Sequence, residues 1–397
     1  MAILAQLGFA KKGKVEKGTE HKLINGVVLR PQNDKPKSLI RYAEGLRYKC
    51  DDIEIYFDSE FSIFSIQGDV NLGKTSEYSF YPNATNPGSN YLLQELEGYI
   101  KGSVEFQKKL GVKSILGICP IIQDYKDRSM GTLSNIIELS LGALANEETY
   151  HSGNFMISLC VQETAFQDID SVNHMLDELT AWDVEGFYVV IDRNASAVFE
   201  PNIDEQRLAN IMYFLYSLSV VNSYKVIVGY VNLLSVPYSA ICNAEFAVGW
   251  FGKTRMFTQS GFINSKGGNR PKLRYLSGPL LSSVLVEPEI VTMKQKLDDS
   301  MFLSGSPFDN ELKQESWSQE KECLEDWYAL SSLTQHLQSE VNIFKRIDIL
   351  QHKINEARRI LQEIEKVIPA LDKKSNPVYL DTWEKAFERF KEILNES

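Results

Sequence analysis

The sequence predicts a (β/α)8 barrel followed by a helical C-terminal module. Eight short apolar runs alternate with segments of helical period along most of the chain. Several of these runs are continuously apolar, as in parallel strands that are buried on both faces. Such alternation favours right-handed βαβ units, and eight units match a closed barrel. An open doubly wound α/β sheet is the alternative, because sequence alone does not decide whether the sheet closes.

The predicted strands are short, apolar and rich in β-branched residues. They span residues 25–29, 53–57, 114–122, 155–161, 187–191, 225–231, 245–250 and 282–286. The helices between them are predicted at residues 37–48, 91–110, 132–146, 169–182, 204–223 and 237–242. At the apolar start of the chain, the basic KKGK segment comes second, whereas a secretory signal places its basic region first. We expect this start to pack on the chain's own core or on a partner, with a short membrane-surface anchor as the alternative.

The barrel domain is predicted to cover residues 1–305, with a long loop or hairpin insertion at about 60–90, and residues 306–397 read as helices only. Between Ile343 and Ile368, apolar residues recur in alternating steps of four and three, which is an a/d heptad seam. The seam fits a three-helix bundle within one chain. Alternatively, it fits a coiled coil that joins two chains or binds a partner protein. Residues 309–397 are therefore the predicted surface for self-association or for a protein partner.

Composition excludes several classes of protein. Apolar residues make up 43% and charged residues 24% of the 397 residues, which is an ordinary globular composition. The five cysteines are far apart in sequence, which argues against a disulfide framework or a thiolate zinc site and favours a cytoplasmic protein with reduced thiols. The longest apolar run, residues 211–221, is about half of the roughly 20 residues that a membrane span requires.

One segment, Gly68–Thr75 (GDVNLGKT), matches the Walker A pattern of nucleotide-binding P-loops. A P-loop opens directly into a helix, whose N-terminus holds the phosphates. Here the following residues include Pro82 and Pro87, which disfavour a helix. The alternating flanks, residues 61–66 and 76–80, predict a β-hairpin instead. If the segment binds nucleotide, Asp192 is the Walker B candidate.

Three carboxylates are the predicted catalytic residues. Active sites of (β/α)8 barrels form at the C-terminal ends of the strands. Asp58, Glu163 and Asp192 each follow, or nearly follow, an apolar run at such an end. Carboxylates in this arrangement serve as general acid and base, or hold a divalent cation through their oxygens.

Positive charge is concentrated in two regions, although the net charge of the chain is −11. Residues 252–276 contain six Lys or Arg and no acid, and residues 1–50 contain eleven Lys or Arg and four Asp or Glu. Barrels commonly bind phosphate at the loops after their last two strands, so residues 252–276 are predicted to bind a nucleotide or nucleic acid. The predicted anion-binding residues are Arg30, Asn232, Lys253, Arg255, Arg270, Lys272 and Arg274.

Three functional hypotheses follow from these patterns. The first is a hydrolase or transferase that binds a phosphate-bearing or nucleic-acid ligand and acts at a phosphodiester or glycosidic bond. The second is a non-catalytic subunit of an assembly, in which the barrel is a platform and the C-terminal helices hold partners. The third is a nucleotide-binding protein that uses Gly68–Thr75. Fold alone does not distinguish them.

Overall fold

The computed structural model describes residues 3–10, 13–50, 52–82, 95–125, 127–145, 152–193, 200–264, 272–312 and 316–396. The strands are β1 (Ile3–Gln6), β2 (Gly26–Leu29), β3 (Glu54–Phe57), β4 (Ile115–Leu116), β5 (Ile121–Ile122), β6 (Phe155–Gln162), β7 (Gly186–Asp192), β8 (Lys225–Val231), β9 (Glu245–Gly249), β10 (Arg274–Ser277) and β11 (Ser282–Leu285). Strands β1 to β9 form one parallel sheet in the order β3-β2-β1-β9-β8-β7-β6-β4, and β5 also pairs with β6.

This sheet curls into a nearly closed barrel. The short strands β4 and β5 share one strand position beside β6, so the barrel has eight positions. Across the remaining gap, the backbone nitrogen of Lys113, just before β4, donates to the carbonyl of Ile55 in β3 at 2.7 Å. The predicted (β/α)8 barrel with C-terminal helices is thus confirmed, and the open doubly wound sheet is not the fold.

Helices cover the outside of the barrel and continue beyond it. They are α1 (Lys14–Glu20), α2 (Pro36–Lys49), α3 (Leu96–Leu110), α4 (Asp127–Leu144), α5 (Ile169–Thr180), α6 (Glu205–Tyr216), α7 (Ser235–Ile241), α8 (Gly252–Arg255), α9 (Val291–Lys296), α10 (Gln319–Gln338), α11 (Ile343–Glu365) and α12 (Tyr379–Glu396). Among the described residues, no helix combines the length and the apolar character needed to cross a membrane.

The barrel begins and ends at different strands from those predicted. The apolar start of the chain is β1, which lies between β2 and β9 with its residues buried. The prediction that residues 282–286 form the last barrel strand is wrong, because residues 282–285 form β11, which pairs with β10 in a separate antiparallel hairpin. Both segments are short and apolar, and only long-range pairing distinguishes a barrel strand from a hairpin strand.

The predicted β-hairpin around Gly68–Thr75 is also wrong. Its two flanks each contain a short 3-10 helix, Phe61–Ser65 and Thr75–Glu77, rather than a strand. The apolar residues of the first flank are buried, so the alternating pattern reflects packing against the barrel and not strand pairing. The predicted strand 114–122 is divided into β4 and β5.

The C-terminal helices pack on the barrel of the same chain. Helices α10 and α11 contact α7, and α12 contacts α6. The heptad seam is covered inside this chain, since Ile347, Leu350, Ile354 and Ala357 are fully buried. We conclude that the seam is a packing surface of the monomer rather than one left open for a second chain.

Candidate functional site

The C-terminal end of the barrel contains a buried ion pair between neighbouring strands. Arg30 follows β2, and Glu60 lies just beyond β3. An Arg30 guanidinium nitrogen lies 2.6 Å from Oε1 of Glu60, and the two side chains are 1% and 0% exposed. Glu60 has a positive φ of 52°, and its backbone nitrogen donates to Oδ1 of Asp58 at 2.7 Å. Arg30 therefore pairs directly with Glu60, and the Glu60 backbone holds Asp58 next to this pair.

Two tyrosines from the far side of the barrel reach these carboxylates. The Tyr188 hydroxyl, from β7, lies 3.1 Å from Oδ2 of Asp58 and 3.3 Å from Oε1 of Gln6 at the end of β1. Tyr230, from β8, donates to Oε1 of Glu60 at 3.0 Å. Tyr230 has a φ of 53° and lies in an irregularity of the β8–β9 pairing, where a bulge redirects a side chain.

Burial dominates the electrostatics of this cluster. It raises the pKa of both Asp58 and Glu60, and the positive charge of Arg30 opposes the rise at each carboxyl. The Asp58 charge further raises the pKa of Glu60. Burial also raises the pKa of the Tyr188 and Tyr230 phenols well above the usual value, so both hydroxyls keep their protons as donors. The pair of carboxyls is therefore suited to hold and transfer one proton.

Several polar atoms of the cluster have no hydrogen-bond partner within the described part of the chain. They are Nε and Nη1 of Arg30, Oε2 of Glu60 and Nε2 of Gln6. Each buried, unsatisfied group costs about 1–3 kcal/mol. Such groups are rare in native folds, and a concentration of them indicates a place for water or for a ligand.

Asp192, the last residue of β7, is another buried carboxylate at this end of the barrel, whereas Asp58 is half-buried. Its Oδ2 accepts a hydrogen bond from Nε2 of Gln259 at 2.7 Å. Burial raises its pKa to about 6. Asp192 and Asp58 both raise the pKa of the Cys160 thiol on β6, which burial already raises, so the two carboxylates approach the same part of the barrel interior.

A small cavity lies beside this thiol. Its volume is about 20 Å³, and its lining includes Asp58, Cys160, Tyr188 and Tyr230. A cavity of this size holds one water molecule, and this one has both hydroxyl and carboxylate groups in its wall. The carboxylate cluster is thus equipped to hold a water inside the barrel.

Glu163 is held in a separate ion-pair network. Its two carboxylate oxygens lie 2.6 Å from Nε of Arg193 and 3.1 Å from Nη1 of Arg207. Arg193 is further fixed by the backbone carbonyls of Glu200 and Asn202, both at 2.5 Å. Glu163 therefore connects the segments after β6 and β7, and the structure does not place it in the Asp58 cluster.

The predicted divalent cation has no obvious ligand set. In the described ranges, no group of three or more His, Cys, Asp or Glu side chains is arranged to hold a metal ion. The three predicted carboxylates are instead occupied by different partners: tyrosine and backbone at Asp58, arginines at Glu163 and an amide at Asp192.

The predicted anion-binding residues do not form one basic surface. Arg255 is paired with Asp326 at 2.5 Å and with Glu322 at 3.1 Å on α10. Arg274 is paired with Asp372 and also donates to the carbonyl of Ser283 at 2.6 Å. These two arginines therefore attach the barrel and its hairpin to the C-terminal helices.

The remaining predicted cations are dispersed. Lys253 lies near Arg30: its Nζ is 5.9 Å, and the Arg30 Cζ 6.0 Å, from the Phe262 ring centre. Burial, with help from the Arg30 charge, lowers the pKa of Lys253. Lys272 is exposed, and Arg270 lies outside the described residues.

Asn232, at the end of β8, donates its backbone nitrogen to Oε1 of Glu200 at 3.0 Å. The nitrogen of Leu234 donates to the same oxygen at 3.0 Å. Burial raises the pKa of Glu200 to about 7. This carboxylate orders the turn after β8, and Asn232 belongs to that turn.

The Walker-like segment has no P-loop geometry. Thr75 begins a 3-10 helix of only three residues, Thr75–Glu77, and not an α-helix. The Lys74 ammonium lies 3.1 Å from Oε1 of Glu77, its own neighbour on the surface. A helix N-terminus for the phosphates is therefore missing from residues 75–82.

Sequence reasoning missed three members of the cluster: Gln6, Tyr188 and Tyr230. The tyrosines lie inside strands that read as uniformly apolar, and their hydroxyls point along the barrel interior to Asp58 and Glu60. In the sequence, these tyrosines could have been noticed as side chains that carry a polar hydroxyl within an apolar run expected to be buried on both faces. Gln6 lay in a segment that was not recognised as a strand.

The comparisons with known proteins identify no relative of this chain. The chain matches no protein-family model, and no curated protein is significantly similar to it in sequence.

Proposed function

We propose that the protein is a hydrolase for a phosphate-bearing substrate, with its active site at the C-terminal end of the barrel. The observation that carries this proposal is the buried cluster of Asp58, Glu60 and Arg30, several of whose polar atoms lack partners. In such a site, the free nitrogens of Arg30 would bind an anionic group, and Lys253 would add a second positive charge nearby.

The chemistry assigned to the site is general acid–base catalysis. Asp58, assisted by Glu60, takes a proton from a water as the water oxygen bonds to phosphorus. Asp192 gives its proton to the leaving oxygen as the phosphorus–oxygen bond breaks. The pKa of about 6 at Asp192 suits an acid that must carry a proton near neutral pH. The new bond between the water oxygen and phosphorus, the departure of the leaving oxygen and the two proton transfers balance without a metal ion or redox cofactor.

Hydrolysis of bis(p-nitrophenyl) phosphate by the full chain tests this proposal, with p-nitrophenyl glycosides assayed in parallel. We expect phosphodiester cleavage that Asp58→Asn lowers at least about 100-fold. Glu388→Gln, which removes an exposed carboxylate on α12, is the matched control and should keep full activity. Because Asp192 must be protonated to act, kcat should fall as pH rises above about 6. Cleavage of glycosides alone, or activity that survives Asp58→Asn, would contradict the proposal.

A second candidate, a non-catalytic subunit, is favoured by the position of the larger cavities. A groove of about 570 Å³ lies between α10, α11 and the segment near Ser304, whereas the cavity beside Cys160 measures about 20 Å³. An adjoining space of about 430 Å³ shares His336, Lys353 and Glu356 with the groove. Lys353 and Arg359 in its wall would suit the acidic groups of a second copy of this chain, whose net charge is −11.

Sedimentation velocity of the full chain tests the second candidate. We expect a concentration-dependent dimer that the double variant Lys353→Glu/Arg359→Glu returns to a monomer, because the substitutions reverse the charge of the groove wall. Lys373→Glu, which changes a charge outside the groove, should leave the dimer intact. A monomer at every concentration, or a dimer that the double variant retains, would exclude this assembly.

A further inference from the structure

We propose that the Walker-like segment is a lid over the active site, and that it opens to admit the anionic group of the substrate to Arg30. This inference rests on the proposed function, since it assigns a means of access to the same site. The lid is defined as residues 67–75. Arg30 and Glu60 beneath it are 1% and 0% exposed at their side chains, so a ligand cannot reach them in the conformation described.

The lid is fastened to the barrel end through Gln32. The backbone nitrogen of Lys74 donates to the Gln32 carbonyl at 2.8 Å, and Nε2 of Gln32 donates to the carbonyl of Asn71 at 3.1 Å. The Oε1 of the same Gln32 accepts a hydrogen bond from Arg30. One side chain therefore connects the lid directly to the guanidinium that we assign to substrate binding.

A second fastening joins the lid to the segment after α8. Val70 forms an isolated antiparallel bridge with Ile263, flanked by a hydrogen bond from Asn71 nitrogen to the Phe262 carbonyl at 2.7 Å. The nitrogen of Asn264 donates to the Asp69 carbonyl at 3.0 Å. The Phe262 ring also lies against both Arg30 and Lys253, so this second fastening holds the lid next to the same anion site.

The lid has the properties of a segment that opens at low cost. Within the lid, Thr75 is buried and Val70 and Leu72 pack half-buried against the core, whereas the other residues are exposed, so opening uncovers only two apolar side chains and one threonine. Gly68 and Gly73 have φ values of 104° and 56°, and they lie on either side of the fastened residues 69–71, where they can act as hinges. A Cβ at Gly73 would lie 2.2 Å from the Gln32 carbonyl oxygen, so only glycine permits the closed position.

Modification of Arg30 by phenylglyoxal, followed by peptide mass spectrometry on the full chain, measures opening directly. Residues directly opposite in antiparallel pairs are close enough for a disulfide, so Val70→Cys/Ile263→Cys should lock the lid when oxidised. We expect Arg30 in the oxidised variant to react at least about tenfold more slowly than in the reduced variant or the natural protein. Gly73→Ala should make Arg30 react faster than in the natural protein. Exposed Arg41 on α2 is the internal control and should react equally in all four samples.

Two results would overturn the lid. One is an Arg30 modification rate that is equal in the oxidised and reduced double variant. The other is an Arg30 that stays unmodified in the natural protein and in Gly73→Ala, while Arg41 reacts fully. Neither readout requires turnover. If the lid controls the modification of Arg30 in a protein that shows no hydrolase activity, the proposed function is refuted and the lid is not. Conversely, hydrolysis that continues unchanged in the oxidised variant would refute the lid alone.

Discussion

Replacing Arg30 with methionine is expected to lower the free energy of unfolding by about 3–5 kcal/mol. Methionine keeps much of the volume but removes the guanidinium that pairs with Glu60 in the described part of the chain, and Glu60 is fully buried. The variant would leave two carboxyls, Glu60 and Asp58, without their buried counter-charge. Equilibrium urea denaturation of the full chain measures the change.

The pH dependence of this loss has a defined sign. Burial raises the pKa of Glu60 in the fold, so the folded protein binds this proton more tightly than the unfolded chain does. Stability therefore falls as pH rises past the unfolded value. Without Arg30 to oppose the shift, the deficit should grow as pH rises above the pKa of glutamate in the unfolded chain, about 4.3.

A double-mutant cycle separates lost pairing from lost packing. Arg30→Met/Glu60→Gln should be more stable than Arg30→Met alone, because the unpaired charge has been removed. Arg389→Met is the control: it breaks a half-exposed ion pair with Glu205 and should cost no more than about 1 kcal/mol. Equal losses for Arg30→Met and Arg389→Met would show that the buried pair is not a structural element.

Trp327→Ala is expected to cost about 3–5 kcal/mol and to destabilise the barrel together with the C-terminal helices. Trp327 on α10 is fully buried, and its indole nitrogen donates to the carbonyl of Val248 in β9 at 3.2 Å. Its ring packs edge-on against Trp250 at 6.1 Å. A Cβ at Gly18 of α1 would lie 2.7 Å from the same ring, so the fit is tight.

Differential scanning calorimetry checks this second prediction. Because the indole joins α10 to a barrel strand, we expect one cooperative transition that shifts as a whole to lower temperature. Trp182→Ala, at a partly exposed tryptophan after α5, should produce a smaller shift. Two transitions, only one of which moves in Trp327→Ala, would show that residues 1–305 and 306–397 unfold as independent units.

The local patterns of the sequence predicted most of the fold. Six of the eight predicted strands coincide with single barrel strands, because near-continuous apolar runs are typical of parallel strands buried on both faces. What local patterns did not reveal was pairing between distant segments. Strand β1 has only four residues, and β11 has the same apolar character as a barrel strand although it pairs in a hairpin.

The candidate site was predictable only in part, for a related reason. Asp58 and Asp192 stood out because a carboxylate at the end of a buried run is conspicuous in sequence. Glu163 has the same local signature, but its role is set by Arg193 and Arg207, which approach it only in the folded chain. The basic segment 252–276 does not form the anion site that its charge predicts, since Arg255 pairs with Asp326 on α10 and Arg274 pairs with Asp372 between α11 and α12.

The position of β1 constrains when this chain can fold during synthesis. Strand β1 pairs with β2 on one side and, on the other, with β9 near the end of the barrel sequence. The ribosome must therefore release Gly249 before the barrel can close, and until then β1 keeps an unpaired edge. Such distant pairing slows folding, and open edges invite association with other nascent chains. We expect the emerging chain to depend on chaperones that shield β1 until β9 is available.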